Sequence, residues 1–312
     1  MLREEMAADE RVVVLGEDVG PRGGVFQTTA GLFQEFGPNR VLDTPLAESG
    51  IVGAAIGMAV AGLRPVAEIQ FADFIHPAIN QIINEAAKLR YRSAGAWTCP
   101  MVVRVPYGAV HGGGLYHGQS VESLFCHVPG LTVYAPSTPN DAYHLLRHAM
   151  HGDDPVIFLE PKRLYASVRQ ALDASCPGTG AVVSRAGRDV TVVAYGFMLH
   201  AVLDAAEQLA AEGLSIEVLD PRRLRPFDAE PLFASVRKTG RLCIVHEDNA
   251  TCGFGAEVAA LVAEHALFEL DAPIRRITGP EIPGVPFAPV LAQAAVPAVA
   301  DIIRVLRDLC LY

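Results

Sequence analysis

Glu48 stands in the run Asp43-Thr44-Pro45-Leu46-Ala47-Glu48-Ser49-Gly50, where an extended segment gives way to a helix. Pro45 fixes φ and withdraws a backbone donor, so it ends the short apolar strand Arg40-Val41-Leu42. From Glu48 to Ala61 the helix reads almost wholly small and apolar. A lone carboxylate entering such a helix lies where another backbone can approach closely and water is scarce. Desolvation there favours the neutral acid, which suits proton exchange with a ligand. The same position suits a carboxylate that only complements the helix dipole from the first turn. The local residues alone leave both readings open.

Other chemistry-bearing residues follow strand-like runs, at the carboxyl end where open α/β sheets bind ligands. Gly16-Glu17-Asp18-Val19-Gly20 follows the first strand, and Gln70-Phe71-Ala72-Asp73-Phe74 follows the strand opening at Pro65. An aromatic there can stack on a flat heterocycle and Gln70 can bond its edge, although Phe71 and Phe74 are equally what a core helix would start with. The loop Tyr107 to Ser120 holds three successive glycines with His111 and His117 in or beside them. A histidine on such a backbone can donate to a carboxylate or carbonyl, or simply be solvated. His144 and His148 are four apart on a helix without the glutamate that zinc-protease chemistry needs, so they read as a solvated face.

Absent patterns narrow the field. No Walker A lysine loop, no Gly-x-Gly-x-x-Gly opening a helix and no Gly-x-Ser-x-Gly elbow is present. These absences disfavour a nucleoside triphosphatase, a Rossmann dinucleotide site and an α/β-hydrolase. The six cysteines are scattered singly, which predicts reduced thiols rather than a zinc knuckle or a disulfide framework. A formal charge of −10 argues against nucleic acid as a partner. The composition, 51% hydrophobic and 19% charged, predicts faces buried against other subunits. The longest uncharged apolar stretch, Gly50 to Leu63, is too short and glycine-rich to cross a bilayer, so no membrane partner is expected. Met1 opens straight into a charged helical segment with no targeting peptide. The expected location is the cytoplasm, or the mitochondrial matrix in a eukaryote.

Strand-like runs alternate with helical ones from Arg11 to Leu309. Helices are expected over Asp73–Ser93, Asp141–His151, Leu199–Ala211 and Val299–Leu309. Short, β-branched strands between helices predict an α/β protein of two doubly wound, mostly parallel-sheet domains. A polar, turn-rich stretch interrupts the rhythm. The expected division is a first domain over 1–167, a linker over 168–188 with Cys176 in it, and a second, smaller domain over 189–312.

Quoted together, several blocks resemble one family: Gly16-Glu-Asp-Val-Gly20 with Gly23-Gly-Val-Phe26, Asp43-Thr-Pro-Leu-Ala-Glu-Ser-Gly50, Arg64-Pro-Val-Ala-Glu-Ile-Gln-Phe-Ala-Asp-Phe74, Arg90-Tyr-Arg-Ser93, His117-Gly-Gln-Ser120 and Phe158-Leu-Glu-Pro-Lys-Arg-Leu-Tyr165. They are similar, in order, to the beta subunits of thiamine-diphosphate-dependent 2-oxo acid dehydrogenases. The resemblance implies a thiamine pyrimidine-binding domain followed by a transketolase C-terminal-like domain. It implies that Glu48 bonds the aminopyrimidine ring nitrogen of thiamine diphosphate, and that proton exchange there activates the thiazolium carbon. Glu17, Leu46, Gln70 and Phe74 would line the cofactor pocket, with Phe71 and His117 meeting the small 2-oxo acid. His117 would also assist acyl transfer to the lipoyl arm.

No Gly-Asp-Gly magnesium motif occurs in this chain. By resemblance, an alpha subunit supplies the diphosphate and magnesium ligands in a heterotetramer of two alpha and two beta chains. Gly53 and Gly57, four apart, would permit close packing between subunits. A lipoyl-bearing acyltransferase core would accept the acyl group. The family's potassium site would use loop carbonyls around Ala149, Gly152 and Asp154. Glu68 to Phe74 with Arg90 to Ser93 looks most like the branched-chain members, while Gly279 to Phe287 looks closer to pyruvate and acetoin relatives. A catalytically silent docking subunit is the alternative of another class. The chain departs from the family at Gly118 and Val121, where Ser and Pro are usual, and Gly118 predicts a looser loop under His117.

Overall fold

The computed structural model describes residues 1–110, 113–175 and 178–312. In chain order the first part contains β1 (Val12–Gly16), β2 (Val41–Asp43), β3 (Arg64–Glu68), β4 (Val102–Tyr107), β5 (Thr132–Tyr134) and β6 (Val156–Pro161). They alternate with α1 (Leu2–Ala8), α2 (Leu32–Phe36), α3 (Glu48–Val60), α4 (Leu89–Arg92), α5 (Glu122–Cys126), α6 (Pro139–His151) and α7 (Leu164–Ser167). The second part contains β7 (Val182–Arg185), β8 (Val190–Ala194), β9 (Ile216–Asp220), β10 (Arg223–Arg225), β11 (Leu242–Asn249) and β12 (Arg275–Gly279). Its helices are α8 (Phe197–Ala210), α9 (Glu230–Thr239), α10 (Phe254–His265), α11 (Pro289–Ala294) and α12 (Val299–Leu309).

The first sheet has the order β10-β5-β6-β4-β3-β1-β2 and is parallel except for β10. The second has the order β12-β11-β8-β9-β7 and is parallel except for β7. Strands β1, β4, β6, β8 and β9 are buried along their whole length, as a sheet covered on both faces requires. Two edge strands depart from the sequence reading. Strand β7 lies inside the stretch 168–188 read as linker and closes one edge of the second sheet. Strand β10 comes from the second domain's stretch of sequence yet pairs with β5 at the edge of the first sheet. Both are short, four and three residues, and each acquires its strand geometry from the partner it lies against.

The helix expected over Asp73–Ser93 is instead a series: two 3-10 turns (Ala72–Phe74 and His76–Ala78), a π-helical stretch (Gln81–Ala86) and α4. Pro77 lacks the N–H that a continuous α-helix would need there. Pro289–Leu309 is long and apolar enough by composition to cross a membrane. It is nevertheless two helices broken at Ala295–Ala298, and α12 turns Ile302, Val305, Leu306 and Leu309 into the core.

The two domains share one core. Val105 and Leu159 of the first sheet belong to the same buried cluster as Val193, Leu219 and Phe254 of the second domain. Polar bonds cross the junction: Tyr195 Oη donates to Glu122 at 2.7 Å and Ser123 Oγ to Asp248 at 2.9 Å. Arg222 Nη1 donates to Asp141 at 3.2 Å. Burial, and then Asp248 beside it, pushes the Glu122 carboxyl well above the usual carboxylate range.

Candidate active site

Five adjacent strands of the first sheet, in the spatial order β6-β4-β3-β1-β2, deliver their carboxyl ends to one rim. Glu17 and Asp18 follow β1, and Leu46 and Glu48 follow β2. Gln70, Phe71 and Phe74 follow β3, the His117 loop follows β4, and Lys162 follows β6. Parallel pairing forces all these ends to the same side, so residues from five separate sequence blocks meet at one place.

Glu48 is the first residue of α3, behind the N-cap residue Ala47. Its carboxylate makes no hydrogen bond or ion pair among the described residues, so it does not cap the helix with a side-chain bond. It is half-buried rather than shut away from water, which corrects the expectation of a desolvated acid in the chain by itself. Leu46 beside it is 69% exposed. The Glu17 carboxyl is raised by burial first, and then by Asp18 and Glu48, which places the three acids within reach of one another. Asp18 has a left-handed backbone (φ 61°), accepts from Gln70 Nε2 at 3.2 Å and pairs with Arg22 at 2.8 Å. That bond orients the Gln70 amide.

His117 sits among aromatic rings. Its ring meets Phe71 edge-to-face at 4.6 Å and Phe74 at 5.2 Å, and Phe71 in turn meets Phe74 and Phe26, each at 5.5 Å. Nδ1 of His117 lies 3.1 Å from the Gly113 carbonyl. A carbonyl only accepts, so this contact places the proton on Nδ1 and leaves Nε2 to a ligand in the neutral ring. The aromatic cage fixes the ring plane. His111, the other loop histidine of the sequence reading, lies outside the described residues.

Gly118 does not loosen this loop. A Cβ at Gly118 would lie 3.0 Å from Val285 Cβ and 3.1 Å from Val285 Cγ2, so the missing side chain lets the segment after β12 pack directly onto the loop. Gly118→Ser is therefore expected to cost about 1–3 kcal/mol through overpacking. Adding Val285→Ala should recover most of it. Thermal unfolding of the two variants checks this, and a single variant as stable as the parent would refute the contact.

Beneath the rim lies a buried charge network that the sequence reading missed. Arg104 of β4 faces Glu68 of β3, its register partner, and Glu160 of β6. The bonds are Nη1 to Glu68 Oε2 at 2.7 Å, and Nε and Nη2 to the two Glu160 oxygens at 2.8 and 2.7 Å. Thr28 donates to Glu68 at 3.2 Å, and the Tyr165 hydroxyl donates to Glu160. Burial opposes the Arg104 charge, but Glu160 and Glu68 outweigh it and hold the guanidinium protonated. The Glu68 carboxyl is pushed up by burial despite Arg104. A cavity of about 510 Å³ opens above Arg104 and Glu160, and none of Glu48, Gln70, Phe74 or His117 lines it. The signal in the sequence was a charged residue within each of three largely apolar strands.

Other expectations meet the structure as follows. On α3, Gly50, Ala54 and Gly57 form the exposed line, whereas Gly53 is half-buried, and a Cβ placed on it would lie 3.9 Å from Gln81 Cγ. His144 bonds the Asp173 carbonyl at 2.7 Å and His148 is exposed. Of the carbonyls implied for potassium, those of Ala149 and Gly152 are engaged within the chain. Ala149 O accepts from Gly152 N at 3.3 Å, and Gly152 O and Met150 O accept from Arg64 Nη1 at 2.8 and 2.9 Å. Asp154 pairs with Arg90 at 2.6 Å. A guanidinium thus already supplies positive charge at that turn. Among the described residues no group of three or more His, Cys, Asp or Glu side chains is placed to hold a metal ion.

The chain is of the transketolase type: its ligand rim on a parallel sheet, joined through a shared core to a second parallel-sheet domain, accompanies two family matches. Residues 1–167 match the family described as the transketolase pyrimidine binding domain, and residues 179–302 match the transketolase C-terminal domain. The solved structure of a split-gene transketolase, described as an inactive beta4 tetramer, shares the fold at a TM-score of 0.81 and 24% identity, covering 99% of this chain and 95% of that one. The 2-oxoisovalerate dehydrogenase subunit beta of Bacillus subtilis (strain 168) is 52% identical over 94% of this chain and 90% of its own length. That of Pseudomonas aeruginosa is 48% identical, covering 88% and 83%. The pyruvate dehydrogenase E1 component subunit beta of Leifsonia xyli is 46% identical, covering 90% and 84%. The chain belongs to the beta subunits of the 2-oxo acid dehydrogenases.

Proposed function

We propose that this chain supplies the pyrimidine side of an active site that oxidatively decarboxylates a branched-chain 2-oxo acid, completed by an alpha subunit. The observation that carries this reading is the rim itself: an unpaired Glu48, an oriented Gln70 and an aromatic cage around His117, all at the carboxyl ends of neighbouring strands. The donor set fits thiamine diphosphate, because a carboxylate without a partner, an amide and aromatic faces match the edge and plane of an aminopyrimidine. When bound, that cofactor supplies the electron sink for loss of carbon dioxide from the 2-oxo acid.

The residues of this chain have separable tasks. Glu48 holds and moves a proton at the pyrimidine edge, and Gln70 and Phe74 orient the ring, with Glu17 and Leu46 at its border. Phe71 presents an apolar wall to the substrate chain. His117, with Nε2 free, meets the substrate carboxylate or carbonyl and assists transfer of the acyl group to a lipoyl-bearing acyltransferase partner. Magnesium and diphosphate ligands come from the alpha subunit in an arrangement of two alpha and two beta chains. The exposed line of Gly50, Ala54 and Gly57, next to the exposed Leu46, offers a surface on which another backbone can lie close to Glu48.

The chain by itself is expected to show no decarboxylation. Mixed with its alpha subunit, it should turn over 3-methyl-2-oxobutanoate with a kcat/KM about 10–200-fold above that for pyruvate, the range that one or two extra methyl groups provide in an apolar pocket. Turnover by the chain alone would overturn the shared-site reading. A preference for pyruvate or acetoin would keep the class and change the substrate.

A further inference from the structure

Lys162 is a buried cation beside this site that the roles above leave unused. It follows β6 directly and is 5% exposed, and its Nζ has no hydrogen-bond partner among the described residues. Nζ stands 5.5 Å from the centroid of the Phe71 ring, the same ring that meets His117. Two carboxylates act on the ammonium, Asp73 and Glu247, and each also holds one end of the segment that carries His117. Gln119 N donates to Asp73 Oδ2 at 3.3 Å, and Ala109 N donates to Glu247 Oε2 at 2.9 Å. Between these ends, Gly108 N donates to the Gln119 carbonyl at 3.1 Å and closes the neck of the loop. The second Asp73 oxygen is buried without a partner. An ammonium buried without a hydrogen bond opposes folding, where a methionine of similar volume would not.

We propose that Lys162 is a positioning residue for the decarboxylation: its charge, set between Asp73 and Glu247 and against the face of Phe71, holds the His117 loop at the substrate. This rests on the reading of the site as a 2-oxo acid decarboxylating centre. Burial raises the Glu247 carboxyl, the ammonium and Arg163 work against it, and a carboxylate accepts more strongly from a backbone N–H than a neutral acid does. Without it, Asp73 loses the cation it faces and Glu247 keeps only Arg163 as a counter-charge against burial, so both loop ends slacken. A displacement of about 1 Å at a reacting group lowers the rate on the order of 100-fold.

Burial pushes the Lys162 ammonium down to about 8, so alkaline pH removes the charge. The charged groups facing it are Asp73 from the turn after β3 and Glu247 from β11. Arg163 lies across Glu247, and His117 lies beyond Phe71.

The test uses the assembled alpha–beta enzyme carrying Lys162→Met or Lys162→Arg. Two quantities are read: kcat/KM against pH, and the rate at which diethyl pyrocarbonate modifies His117, followed by mass spectrometry. The parent should lose kcat/KM above about pH 8, Lys162→Met should fall about 100-fold with no such limb and with faster His117 modification, and Lys162→Arg should stay within about tenfold without the limb. Activity of Lys162→Met within about threefold of the parent overturns the proposal, as does a folded Lys162→Arg as impaired as Lys162→Met. If Lys162→Met does not assemble, the arginine variant decides: a retained limb overturns the proposal and a missing limb with retained rate supports it. If the parent assembly turns over no 2-oxo acid, the decarboxylase reading fails, while the His117 modification rates still test the placement of the loop.

Discussion

Replacing Glu48 by Gln is expected to lower kcat of the assembled enzyme by about 10²–10⁴-fold, the usual size of a lost general acid–base step. The glutamine keeps the length of the side chain and an acceptor, so helix α3 and the packing of Ile51, Val52 and Ala55 beneath it should not change. What it cannot do is give up and regain a proton at the same atom. Among the described residues no group bonds or pairs with this carboxylate, so the helix does not depend on it for a cap. The effect should therefore appear in kcat while thermal stability and assembly stay as in the parent. Cofactor affinity, measured by calorimetry on the assembled protein, should change by no more than about tenfold, because one hydrogen bond is kept. Full decarboxylase activity in this variant would favour the docking-subunit alternative and remove Glu48 from the chemistry.

Arg104→Leu should destabilise the first domain by about 3–5 kcal/mol, the cost of leaving buried charges without their partner. In the parent, one guanidinium pairs with both Glu68 and Glu160 within a network in which Arg104 is 3% exposed, Glu68 3% and Glu160 7%. Leucine leaves both carboxyls facing each other beneath the active-site rim. They must then fold in the protonated form, with pKa values raised above those of the unfolded chain. A raised folded-state pKa contributes stability below the unfolded value of about 4.3 that is lost as pH rises, so the deficit should be smaller at pH 5 than at pH 8. Adding Glu68→Gln and Glu160→Gln should narrow the gap at pH 8, since neutral amides need no counter-charge. Urea unfolding at the two pH values measures both effects. A loss below about 1 kcal/mol would assign Arg104 the small value of a surface pair instead.

Several of these features follow from chain neighbours. The positions after β1, β2, β3 and β4 were readable because strand ends are marked locally, by the glycines of 16–20, by Pro45 and by the glycine run near His117. Parallel pairing then does the rest, since it must bring those ends to one side. The end of the chain was equally plain: the helix over Val299–Leu309 follows from its apolar spacing. The Asp73–Ser93 region was misread because a 3.6-residue pattern does not separate an α-helix from a succession of 3-10 and π turns around Pro77.

The sequence by itself thus determined the parallel architecture and the family, and it placed Glu48, Gln70, Phe74 and His117 after strand ends, all of them consequences of local pattern plus strand direction. The tertiary structure alone decided how those residues are held. Arg104 meets Glu68 across 36 residues and Glu160 across 56, and Ala109 meets Glu247 across 138. Gly118 lies under Val285, and strand β10 crosses to the other domain's sheet. Each of these depends on register and on which surfaces are pressed together, and neither is written in the spacing of neighbouring residues. Lys162 shows the difference most clearly: in the sequence it is one basic residue after a strand, and only the fold surrounds it with two carboxylates, an aromatic face and no water-accessible surface to speak of.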